Sequence, residues 1–312
     1  GLLTSRVMQV RVLGSAAGGG FPQWNCACAQ CSAVRAGDPA FEPRTQDSLA
    51  VSRDGKRWLL LNASPDITRQ IQATPALFPR RGRETPIAAI ALSNGDLDHC
   101  LGLLNLRESQ PLAIYATVAV LEGLCGHNAF FRTLERHADH TSLRELGPAA
   151  ISLEDPSKES LGLMLRAVPV PGKLPLHLVG LREPSAMDNV ALVVREEERG
   201  PTLLYVPGIA RNFDGLGALL DAADCVFFDA TFWSECELSE RGVGASRARD
   251  MAHWPLEGPE GSLAVLSTLR GKRIFLTHVN NTNPILRKGS PERDAVESAG
   301  LAVAHDGLEV SL

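Results

Sequence analysis

The chain has 312 residues, 44% hydrophobic and 21% charged, with a formal net charge of -5. That apolar fraction builds a sizeable core; the mild acidity lacks the basic footprint of a general nucleic-acid binder; and no apolar run approaches the ~18 residues of a membrane span. Residues 8–312 are expected to form a single domain in a cytoplasmic protein, since α/β units of this length are commonly one. Residues 1–7 lack the apolar core of a secretion signal and read as an N-terminal extension left by an upstream start or by cloning.

The first strand, 10–13, runs into the glycine-rich Gly14-Ser15-Ala16-Ala17-Gly18-Gly19-Gly20. Soon after, Cys26-Ala27-Cys28-Ala29-Gln30-Cys31 places three thiols within six positions. Soft thiolates in a tight loop favour tetrahedral zinc, and reduced surroundings disfavour disulfides. A structural zinc on Cys26, Cys28 and Cys31 is therefore expected, its fourth ligand coming from elsewhere. Cys100, Cys125, Cys225 and Cys236 are scattered and read as buried small hydrophobes.

A strand at 58–61 and a helix at 67–71 follow, then a loop at 79–86. The apolar run 87–92 reads as a buried strand, and the Leu101, Leu103, Leu104 spacing as a helix start. Between them lies Ser93-Asn94-Gly95-Asp96-Leu97-Asp98-His99. From these residues alone, the loop is either a chemical platform or a turn whose Asp98 caps a helix. A helix over 118–124 precedes a solvated helical stretch at 129–146, where His127, His137 and His140 are expected at the surface.

Strands are predicted at 163–170, 190–194, 203–206 and 225–228, with a loop at 195–201 and a helix at 216–220. Asp229 ends the last of these strands, where a carboxylate either enters a cleft or ties down backbone amides. His253 sits in the Pro-flanked Met251-Ala252-His253-Trp254-Pro255 and reads as a general acid or base, or as a structural imidazole. A helix at 263–269 and a strand at 274–276 lead into Thr277-His278-Val279-Asn280-Asn281. Periodicity alone supports only a mixed α and β fold.

The 93–99 segment resembles the H-x-H-x-D-H loop of the metallo-β-lactamase superfamily, and Thr277-His278 its strand-terminal histidine. This resemblance implies an αββα sandwich of two mixed sheets flanked by helices. Aligned residue by residue, the first two histidines fall on Asn94 and Asp96, whereas Asp98, His99 and His278 match one metal site. The other site is dismantled: its mid-chain histidine falls within Val170-Pro171-Gly172 and its bridging aspartate on Pro207. Two imidazoles and one carboxylate are the donor set of mononuclear non-haem Fe(II) with open positions; zinc competes for such a site. Asn94 and Asp96 would act as weak ligands or as acceptors that orient a ligating histidine. Comparison with phosphodiesterase relatives carrying a similar cysteine knot makes Asn281 the candidate fourth zinc ligand.

Residues 14–25, Asn62-Ala63-Ser64-Pro65-Asp66, 228–233, 251–255, 278–284 and Asp306-Gly307 narrow the match. From Met8 onward the chain resembles the pyrroloquinoline quinone (PQQ) biosynthesis B family. The resemblance implies a part in making PQQ from a cross-linked glutamate and tyrosine excised from a precursor peptide. It admits an iron-dependent hydroxylase of the tyrosine-derived ring using dioxygen, or a carrier or transport factor without catalysis; a zinc hydrolase is the third reading. Inserting oxygen into a phenol needs a metal with free positions, which favours the hydroxylase. The expected partners are a small-molecule or dipeptide substrate and other PQQ biosynthesis proteins. Asp229 or His253 would move the released proton, Trp233 would stack on the ring, and Lys173 and Arg211 would meet carboxylates. No G-x-G-x-x-G follows a strand, so electrons come from an external reductant or from the substrate.

Overall fold

A computed structural model describes residues 7–108, 110–136, 141–197 and 200–312. Its strands are β1 (Gln9–Gly14), β2 (Ser48–Ser52), β3 (Trp58–Leu61), β4 (Ile87–Ala91), β5 (Leu112–Ala116), β6 (Thr141–Glu145), β7 (Ile151–Glu154), β8 (Ser160–Pro169), β9 (Val190–Glu196), β10 (Thr202–Val206), β11 (Cys225–Asp229), β12 (Arg273–Thr277), β13 (Ala302–Val303) and β14 (Glu309–Ser311). They form two seven-stranded sheets, ordered β14-β1-β2-β3-β4-β5-β6 and β13-β12-β11-β10-β9-β8-β7. Each is antiparallel on one flank and parallel on the other, the change falling at β3 and at β10.

Strands covered on both faces are apolar at nearly every position. Along β11, Cys225 and Phe227 enter the core between the sheets, while Val226 and Phe228 enter an outer core. Along β3, Leu59 and Leu61 point between the sheets, and Trp58 and Leu60 point outward. Helices Ile67–Ala73, Gly102–Asn105 and Val118–Leu121 cover the first sheet through Ile67, Leu103 and Val120. Helices Ala29–Arg35, Leu216–Asp221, Ser262–Leu266 and Pro291–Ser298 cover the second through Cys31, Leu220, Leu266 and Val296. The result is the αββα sandwich. No helix among the described residues is long and apolar enough to cross a membrane.

Three local expectations change. The 129–146 stretch is a short helix, Arg132–Arg136, followed by β6, which pairs in parallel with β5 and packs Leu143 on the outer core; His137 and His140 lie outside the described residues. The 195–201 loop starts late, because Arg195 and Glu196 still pair with Met164 and Leu163, and the Glu196 carboxylate lies 3.8 Å from Arg53. Over 118–124 the α-helix ends at Leu121 and widens into a π turn, Glu122–Gly126.

Candidate metal centre

The site lies beyond the carboxyl ends of parallel strands, where polar groups of α/β folds gather. Asn62 pins the loop after β4: its Oδ1 accepts the Ser93 N–H at 2.9 Å, and its Nδ2 donates to Ser93 Oγ at 3.0 Å and to Tyr205 Oη at 3.1 Å. His278, directly after β12, has φ 56, a left-handed conformation that a side chain makes unfavourable. Thr277 and Tyr205 both donate hydroxyls to the buried Asp47. Burial raises the Asp47 carboxyl to about 6, against the pull of His278 and those hydroxyls.

Asp98, His99 and His278 converge. Asp98 Oδ2 lies 3.2 Å from His278 Nε2 and 3.6 Å from His99 Nε2. Two donors bound to one ion at about 2.1 Å stand roughly 3.0–3.4 Å apart, so the spacing suits a shared cation. His99 Nε2 is buried without a hydrogen-bond partner, an arrangement that costs free energy unless something fills the vertex. Gly18 leaves room there, since a β-carbon on it would stand 3.3 Å from Asp98 Oδ2.

Hydrogen bonds set the tautomers of both imidazoles. Asn94 Oδ1 can only accept and lies 2.8 Å from His99 Nδ1, so the proton sits on Nδ1 and Nε2 offers its lone pair. Thr231 Oγ1 donates to Asp229 Oδ1 at 2.6 Å and receives His278 Nδ1–H at 2.8 Å, which leaves His278 Nε2 facing Asp98 Oδ2, where a bound cation would take the place of its proton. Burial would raise the Asp98 carboxyl, but His99 and His278 outweigh it and hold it well below the usual carboxylate range. Burial would lower His278, but Asp98, then Asp229 and Asp47, raise it to about 9. Burial lowers His99 despite Asp98.

Asp229 stands behind the centre rather than in it. It is fully buried and accepts the backbone N–H groups of Ile209 at 3.1 Å and Thr231 at 2.9 Å. It also accepts His253 Nδ1–H at 2.7 Å, so His253 presents Nε2. His253 stacks on His278 at 5.4 Å, and Phe232 meets its ring edge at 6.0 Å. The preceding Ala252 has φ 62, a second strained residue beside the centre.

A cavity of about 230 Å³ opens on these groups, with Asp96, Lys173 and Asn189 in its wall. Gly172 and Gly208 also line it, in the two segments from which the second site's ligands are missing. Asp96 makes no side-chain cap bond to its helix; burial and the charge of Asp98 raise its carboxyl. Two expected substrate contacts lie outside this cavity. Trp233 is not in the cavity wall, because its half-buried side chain packs on the outer core, and its backbone N–H donates to Glu237 Oε2 at 2.6 Å. Arg211 lines a neighbouring cavity instead. Thr231, Asn62 and Asn189 are additions that sequence reading did not supply.

Cys26, Cys28 and Cys31 also converge. The Asn281 carboxamide faces all three, its Nδ2 lying 3.2 Å from the Cys26, 3.8 Å from the Cys28 and 3.4 Å from the Cys31 sulfur. Amide nitrogen and oxygen exchange by a flip, so the side chain occupies the position a fourth ligand would take. Among the other cysteines, Cys100, Cys125 and Cys225 are buried and Cys236 is half-buried.

A model of the beta-lactamase superfamily domain matches residues 57–279. The chain is 47% identical over 308 residues to coenzyme PQQ synthesis protein B of Methylobacterium nodulans, covering 98% of this chain and 100% of that one. It is 42% identical to the Cupriavidus necator protein of the same name, covering 97% and 99%. The solved structure of Zn2+-bound PqqB from Methylobacterium extorquens superposes with a TM-score of 0.88 at 42% identity, over 97% of this chain and 100% of that one. A diphosphatase of the PhnP family shares the fold at 21% identity, with a TM-score of 0.66 over 98% and 97% of the two chains.

Proposed function

The chain belongs to the coenzyme PQQ synthesis protein B family of the beta-lactamase superfamily, and from that membership and the donor geometry we propose that it serves PQQ biosynthesis as a single-metal oxygenase. Its substrate is the cross-linked glutamyl-tyrosine precursor, hydroxylated on the tyrosine-derived ring. The observation that carries this reading is the trio Asp98, His99 and His278 around one point, beside the segments Val170-Pro171-Gly172 and Pro207, where the superfamily resemblance would put a second ion's ligands and no metal-binding side chain stands. Two imidazoles and a carboxylate on one face leave adjacent positions free for dioxygen and substrate.

Asp98, His99 and His278 would hold Fe(II), which would supply dioxygen activation that zinc on the same donors would not. The hydroxylation would place one oxygen atom of dioxygen on the ring and release the other as water, its two electrons coming from an external reductant or from the substrate as it becomes a quinone. His253 Nε2, held in orientation by Asp229, takes the proton released at the ring. Asn94 and Thr231 keep the ligating imidazoles in register. Lys173 offers the cavity's ammonium to a substrate carboxylate, and Asp96 faces the ring's polar substituent. Asn281 completes a structural zinc site with the three cysteines, apart from the chemistry.

The test is metal-free protein reconstituted anaerobically with iron or with zinc, exposed to air with the glutamyl-tyrosine precursor, with and without an added reductant such as ascorbate, and read by mass spectrometry. Gain of one oxygen with iron alone is the expected result. No oxygen insertion with either metal overturns the oxygenase. Zinc-dependent ester cleavage would then point to a hydrolase, and PQQ binding indifferent to His278→Ala to a carrier.

A further inference from the structure

Beside the metal cavity of about 230 Å³ lies a second of about 530 Å³, and the two share Gly172, Lys173 and Asn189. Pockets for drug-sized ligands run to about 300–1,000 Å³, so the metal cavity admits a ring and little more; only with its neighbour does it enter that range. The shared wall is fixed. Asn189 Nδ2 donates to Lys173 O at 2.7 Å, the Val170 N–H to Asn189 O at 3.0 Å, and the Ala210 N–H to Pro171 O at 2.8 Å.

Carbon dominates the second cavity, from Val170, Leu174 and Phe213, and its charge is one-sided. Its acid, Asp188, is committed to Arg182 and to the Ser185 N–H. Neither Lys173 nor Arg211 pairs with a carboxylate among the described residues. Two unpaired cations on an apolar wall fit an aliphatic chain ending in an anion.

We propose that the second cavity is the subsite for the aliphatic, carboxylate-bearing end of the substrate, with Arg211 gripping that carboxylate and Lys173 standing between the two chambers. The assignment rests on the functional reading above. A guanidinium takes a carboxylate through two parallel bonds, which an ammonium does not reproduce.

Calorimetric titration of the zinc-loaded protein tests it with two probes: tyrosine bearing a glutamate on its ring, and the same molecule with the glutamyl carboxylates amidated. The wild type should prefer the acid probe by about tenfold to a hundredfold. Arg211→Gln should lose that preference without weakening the amide probe, Arg211→Lys should keep part of it, and Ala186→Trp, which fills the cavity, should weaken both. Unchanged melting temperatures show that the variants fold. Acid-probe binding by Arg211→Gln at wild-type strength, or equal loss on both probes, overturns the subsite. If that variant still hydroxylates the acid probe with iron while binding it normally, only the subsite falls. A wild type that neither binds nor hydroxylates either probe overturns the functional reading and the subsite with it.

Discussion

Asn94 sets the orientation of its neighbours through three hydrogen bonds. Its Oδ1 takes both the His99 Nδ1 proton and the Asp96 N–H at 3.0 Å, while its Nδ2 leans on Asn189 Oδ1 at 3.4 Å. The carboxamide thus fixes which nitrogen of His99 faces Asp98. Asn94→Ala is expected to weaken metal binding about 10- to 100-fold, measured by competition with a chromogenic chelator, whereas Asn94→Asp, which keeps the acceptor, should stay near wild type. An alanine variant with undiminished affinity would remove the orienting role. Asp98, His99 and His278 were legible in the sequence because ligand spacing survives as a motif. Thr231 and Asn189 were not: each is a single ordinary side chain, 47 and 95 positions from its partner, and only the folded chain joins them.

Among the elements, β3, β4, β10 and β11 were legible because burial on both faces leaves an unbroken apolar run. β2 escaped that criterion because serines stand at both its ends; both are buried, and their hydroxyls return to the carbonyls of Asn62 and Arg57. β6 escaped because an edge strand needs only one buried face, and Thr141 to Arg144 are half-buried while Glu145 is exposed. The helix Ala29–Arg35 also went unpredicted, a seven-residue element too short to persist alone. It starts at Cys28, whose sulfur accepts the Cys31 N–H at 3.5 Å, and its cysteines face Asn281 in the loop after β12. If zinc ties these two segments together, Cys31→Ser should lose a zinc ion per chain by elemental analysis and melt several degrees lower. Unchanged zinc content in that variant would reject the assignment.

At the scale of the molecule, β14 returns from the far end of the sequence to pair with β1, and the core between the sheets joins Met8 and Val10 to Leu203 and Phe227. The two halves cannot separate without opening this common interior, so an unfavourably buried group in either half lowers the stability of the whole. Glu237 is such a group. It is 2% exposed, accepts the Trp233 N–H and the Thr282 hydroxyl, and burial raises its carboxyl from 4.5 to about 7 against those bonds. The native chain therefore keeps this proton where the unfolded chain has released it. Because the unfolded state binds fewer protons across that window, stability falls as pH rises from about 4.5 to about 7 and levels off above. The shift corresponds to a loss of about 3 kcal/mol. Glu237→Gln has no proton to release, so denaturant unfolding at pH near 5 and near 8 should show the variant gaining on the wild type by about that amount at the higher pH. Parallel pH profiles for the two proteins would show that Glu237 carries no such penalty.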